Sequence, residues 1–148
     1  MRLVLDANIV VGELLRRRGQ VRFEVLDAEL LMTPRASREA TYELERRLEI
    51  MATRAGLSEG GRQAWLLTAL KLLRRRVTVI PEATFAPFES QARLRIPRDP
   101  DDWPTVALAL ALNAEVWTED GDFFGCGLAV WRTDVLYAHL DDSAASAS

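Results

Sequence analysis

The sequence is poor in sulfur and almost without imidazole. Cys126 is its one cysteine, which excludes an intramolecular disulfide and suits a reducing compartment. His139 is its one histidine, which removes most hydrolytic schemes resting on a histidine base and most zinc sites. No uncharged stretch approaches the ~20 residues that span a bilayer; the longest apolar run is Val106–Leu112. The start shows no secretory pattern, because its apolar run is short and is interrupted by Asp6. The expectation is a cytoplasmic chain with no membrane association. Charge of one sign is lacking too: a formal net charge of −3 argues against a globally basic nucleic-acid binder. What remains is 148 residues, 49% of them apolar, enough for one domain with a real core.

That core announces itself at once. Leu3–Leu5 runs without alternation into Asp6, as suits a strand covered by helices on both faces. Leu30–Met32, Val77–Ile80, Glu115–Thr118 and Leu128–Trp131 are further short apolar runs, most of them ended by a breaker or an acid. Between them lie helical patterns. Ser37 is the expected N-cap of a helix whose stripe is Ala40, Leu44, Leu48 and Met51, ended by Gly56. Ser58 opens another, with Ala64, Leu67, Leu70 and Leu73 as its buried stripe and Arg74–Arg76 suiting its C-terminal dipole. Glu82–Pro97 reads as loop with a short helix near Phe88–Leu94. Pro104 sits in the first turn of an all-apolar, deeply buried helix that runs to Asn113. The last helix is Val135–Leu140, capped by Thr133 or Asp134. This alternation predicts a three-layer α/β/α fold with a mostly parallel, roughly five-stranded sheet. Residues 1–140 form the single domain, and Asp141–Ser148 is expected to be a disordered tail.

In such sheets ligands bind in the crevice at the carboxyl ends of the strands. Acids arrive there from several elements: Asp6 after strand one, Glu43 beside the core residue Leu44, Asp99, Asp101 and Asp102 at the start of the buried helix, and Asp120 with Asp122 after strand four. Clustered carboxylates repel unless something positive neutralises them. Hard oxygen donors without histidine or cysteine select Mg²⁺ or Mn²⁺. Such ions suit phosphodiester hydrolysis, because they activate water and stabilise a leaving oxygen.

Asp6–Ala7–Asn8 after an apolar strand, Glu43–Leu44 on an early helix, Arg98–Asp102 before an Ala/Leu helix and Thr118–Phe123 together resemble the PIN domain. The likeness spans about Arg2 to Leu140 and is greatest to VapC-like toxin ribonucleases of bacteria and archaea. The resemblance implies a metal-dependent endoribonuclease, a homodimer, held inactive by a cognate antitoxin. Carried over by position, Asp6, Glu43, Asp102 and Asp120 form the catalytic and metal-ligand quartet. Asp99, Asp101 and Asp122 are auxiliary acids, and Asn8 and Thr118 orient the site. Asp101 competes with Asp102, and Glu39 with Glu43, for the principal role. Among the arginine clusters, Arg93, Arg95 and Arg98 are the better candidates for phosphate contact, since they precede the acidic helix.

Each acid taken singly has a plainer role. Asp6 could end a strand, Asp99–Asp102 could cap a helix at about 0.5–2 kcal/mol, and Glu43 could pair with Arg47 for about 0.3–0.5 kcal/mol. Those readings weaken together, because one edge collects all of them. Two other functions compete with the nuclease. An aspartyl-phosphate phosphohydrolase normally wants a second aspartate where Asn8 stands. A non-catalytic RNA- or protein-binding module would have no need of four intact acids.

Overall fold

The computed structural model describes residues 1–147. The elements follow in the order β1 (Arg2–Leu5), α1 (Ala7–Leu14), α2 (Arg17–Val25), β2 (Glu29–Met32), α3 (Pro34–Ala55), α4 (Glu59–Arg76) and β3 (Val77–Val79). Then come α5 (Glu82–Phe85), α6 (Glu89–Arg95), α7 (Trp103–Leu112), β4 (Glu115–Trp117), β5 (Val130–Trp131) and α8 (Thr133–Ala147). The five strands lie in the order β3-β2-β1-β4-β5. All four pairings are parallel, with Val4 opposite Leu31 on one side and Val116 on the other.

The strands are apolar throughout because both faces are covered, and their alternation divides the core in two. Leu3, Leu5, Leu30, Met32 and Trp117 point to the face covered by α1–α4 and α8. Val4, Leu31 and Val116 point to the other, against Phe85, Ala92, Ile96 and the buried side of α7. Trp117 fixes the first face, tilted against Phe23 at 6.5 Å and edge-on to Tyr137 at 5.9 Å. The chain leaves β1 toward β2 on one side and later returns to add β4 on the other. That reversal opens a crevice at the carboxyl ends of β1 and β4.

Several local expectations are corrected. Helix α3 is capped by Thr33, not Ser37: the Thr33 hydroxyl accepts from the Ala36 N–H at 3.0 Å, and Pro34 takes the first helical turn. Its stripe ends on Ala52, while Met51 is 44% exposed. In α4 the buried residues are Ala69, Leu72 and Leu73, with Trp65 and Leu66 half-buried; Ala64 and Leu67 face outward. The sequence's Arg16–Gly19 stretch reads as a break between helices, but Gly19 lies inside α2, where a Cβ would overlap the backbone of Glu13, so the close crossing of α1 and α2 requires glycine. Glu82–Arg95 is helical nearly throughout. Finally, α8 continues through Asp141–Ala147, where a tail was expected; Ser148, the end of that stretch, lies outside the described residues.

Candidate active site

Asp6 is the residue between β1 and α1, and its carboxylate does two jobs. Oδ1 accepts from the Ile9 N–H at 3.0 Å and caps α1. Oδ2 accepts from the Thr118 hydroxyl. Thr118 follows β4, is wholly buried, and its oxygen also accepts from the Asp120 N–H at 3.0 Å. One hydroxyl therefore ties the ends of the two central strands together and orients both acids. Asp120 Oδ1 accepts from the Asp122 N–H at 2.9 Å and caps the short turn Gly121–Phe123. Burial raises the Asp6 pKa above the usual carboxylate value, against its hydrogen bonds from Thr118, Ile9 and Asn8, and the Asp120 charge adds to the rise.

Asp102 precedes α7 in a turn begun by Pro100. Its pKa is pushed up to about 6, first by burial, then by the hydrogen bond and charge of Asp99, with Asp120 adding and Arg35 opposing. Asp101 is turned away: it is 84% exposed and pairs with Arg93 at 3.4 Å. Of the two competitors, Asp102 is thus the one inside.

Asp6, Glu43, Asp102 and Asp120 all line one cleft of about 440 Å³, together with Asn8 and Glu39. The acids of α3 are held differently. Glu43 is gripped by Arg46 at 2.8 Å and Arg47 at 3.4 Å, and its pKa is lowered by the Arg46 hydrogen bond above all. Glu39 shares the Arg35 guanidinium with Asp102, at 3.3 Å and 3.7 Å. Among the described residues no three acid, histidine or cysteine side chains stand close enough, as they lie, to enclose one ion. The donor set is nevertheless that of a hard divalent cation: carboxylate oxygens alone, two of them with raised pKa values that a cation would relieve.

The arginines of the cleft are Arg35 and Arg47. Arg93, Arg95 and Arg98 do not line it. Arg93 is engaged with Glu89 and Asp101, Arg95 donates to the Cys126 carbonyl at 2.8 Å, and Arg98 stands exposed 4.0 Å from Asp122. The sequence alone singles out neither Arg35 nor Tyr42, and reads Arg47 only as an ion-pair partner of Glu43. The signal that points to them is the four-residue step Arg35–Glu39–Glu43–Arg47, which is one ridge of a helix.

Fold and site together define a class: a parallel α/β/α domain whose acids gather where the strand order reverses. A family model described as PIN domain matches residues 4–141. The chain belongs to the PIN domain family. Among solved structures it is similar to FitAcB from Neisseria gonorrhoeae at 20% identity, with a TM-score of 0.53 over 87% of this chain and 96% of that one. At that identity the likeness bears on the fold alone. No curated protein matches the sequence. Among the described residues no helix is long and apolar enough to cross a membrane.

Proposed function

We propose that this protein is an Mg²⁺- or Mn²⁺-dependent endoribonuclease, the toxin of a type II toxin–antitoxin pair. PIN domains are generally nucleases. The observation that carries the reading is the convergence of Asp6, Asp102 and Asp120 on one cleft at the mouth of β1 and β4, with Thr118 tying the Asp6 carboxylate to the Asp120 backbone. Negative charge gathered there is offset only in part by Arg35, and a site of this kind suits a cation.

Asp6, Asp102 and Asp120 would hold the ion, with Glu39 or Glu43 contributing from α3. When bound, it would activate a water and stabilise the leaving 3′ oxygen, with products ending in 5′-phosphate and 3′-hydroxyl as the family resemblance implies. The chain's own part is positional. Thr118 fixes the Asp6 carboxylate and the Asp120 backbone at once. Asn8, in the first turn of α1, lines the cleft beside Asp6. A cytoplasmic RNA-cutting protein must be restrained, which supports an antitoxin partner and, with the family resemblance, a homodimer.

The test is incubation of the purified protein with a mixed RNA pool, with Mg²⁺ or Mn²⁺ and with chelator, followed by sequencing of the cleaved ends. Cleavage at defined positions that chelator abolishes is the expected result. Intact RNA in all three conditions overturns the reading.

A further inference from the structure

We propose that the cleft-facing ridge of α3 is a track for single-stranded RNA, in which Arg35 and Arg47 hold phosphates and Tyr42 stacks an unpaired base. The proposal rests on the nuclease reading for its ligand, and on a different set of residues for its argument. Arg35, Glu39, Glu43 and Arg47 follow at four-residue steps and all line the cleft. At ~1.5 Å per residue the two arginines stand about 18 Å apart along the helix, room for several nucleotides.

The cleft is acidic and would repel a polyanion. Among the described residues Arg35 and Arg47 are the cations in its lining, so the phosphate contacts fall to them. Arg35 is already aimed: Nη1 donates to the Asp101 carbonyl at 2.6 Å, Nε to Glu39 at 3.3 Å, and Nη2 lies 3.7 Å from Asp102, the contact a phosphate would share. A guanidinium braced in this way loses little freedom on binding. Arg47 meets Glu43 through Nε alone, at 3.4 Å, and its side chain is 45% exposed. Among the described residues its two terminal nitrogens have no hydrogen-bond partner, and that fork is the one a phosphate oxygen pair fits.

Tyr42 lies between the two arginines along α3, lines the same cleft, and is 66% exposed. A ring left in water beside a row of charges is poor packing and a good stacking platform. Stacking needs a base free of its partner, so the exposed ring favours a single strand over a duplex.

The experiment measures binding, so that it stands apart from cleavage. The Asp6→Asn protein in chelator is titrated with a fluorescent single-stranded RNA oligonucleotide and with the duplex of the same sequence, over a series of salt concentrations. The single strand should bind more tightly. Adding Arg35→Gln or Arg47→Gln should each flatten the slope of log K against log salt by about 0.7, the value of one phosphate contact on a single strand. Tyr42→Ala should weaken binding about fivefold or more with the slope unchanged, and Tyr42→Phe should restore it. Arg75→Gln, on α4 and paired with Glu24, should change neither. Equal affinity for duplex, unchanged slopes in both arginine variants, or no measurable binding would overturn the track. RNA that binds along it and is never cut by the parent protein would overturn the nuclease reading instead.

Discussion

Replacing Asp102 by asparagine should stabilise the metal-free protein at neutral pH and have no such effect in acid. Its carboxyl group is pushed from 3.8 to about 6 by burial, by Asp99 and by Asp120. A carboxyl group with a folded pKa above its unfolded value binds protons more tightly when folded. Its ionisation therefore destabilises the fold fully above about pH 6, and the penalty fades as pH falls through 6 toward 3.8. A rise of about two pH units corresponds to about 3 kcal/mol. With 33% of the side chain exposed and Arg35 only 3.7 Å away, solvent screening reduces that to about 1 kcal/mol, or about 3 °C in melting temperature for a chain of this size. Asparagine removes the charge and keeps the shape, and Arg35 retains Glu39 and the Asp101 carbonyl. Thermal melts of parent and Asp102→Asn in chelator, at about pH 4, 6 and 8, read this out. The gap should open in favour of the variant as pH rises. A gap that is the same at all three, or a variant that melts lower at about pH 8, would show that the Asp102 charge costs the fold nothing.

On α3, Glu39→Gln should reduce metal-supported cleavage more than Glu43→Gln, because Glu39 stands beside Asp102 across Arg35 whereas Glu43 is committed to Arg46 and Arg47; rates of the two variants at saturating Mn²⁺ decide it, and the reverse order would reject the assignment. Thr33→Ala removes the α3 cap and should cost about 1 kcal/mol, seen as a lower urea midpoint with an unchanged slope. Glu13→Ala should cost about 3 kcal/mol, since Glu13 is 2% exposed and accepts from Tyr137 at 2.6 Å and from Arg22 at 3.5 Å; a midpoint within experimental error of the parent would show that the buried cluster contributes nothing.

The strands were legible because a parallel sheet buried on both faces leaves an unbroken apolar run, and Leu3–Leu5 and Val116–Trp117 carry that signature plainly. Their acids were legible for the same reason, as polar ends to apolar runs. Helix faces were harder. In α4 Leu66, Leu67, Leu70, Leu72 and Leu73 crowd two turns, so the pattern offers several stripes and only the position of the sheet selects Ala69, Leu72 and Leu73. The start of α3 was misjudged because Pro34 reads as a breaker after a strand, while in the first helical turn it is a starter. Arginine roles are set by distant partners. Arg95 ends on the carbonyl of Cys126, thirty-one residues away, and nothing local foretells it. The Arg35–Arg47 ridge was visible as a spacing, but it acquires meaning only once α3 is known to border the cleft.

If the proposed nuclease works through Asp6 and a divalent ion, the decisive comparison is RNA cleavage by the parent protein and by Asp6→Asn in Mn²⁺, with melting curves to show that both are folded. The parent should cleave in a way that chelator abolishes, and a folded Asp6→Asn protein should be slower by at least about a hundredfold, the scale on which loss of one electrostatic group at a reaction centre is felt. A folded Asp6→Asn protein that cuts RNA at the parent rate would contradict that role of Asp6.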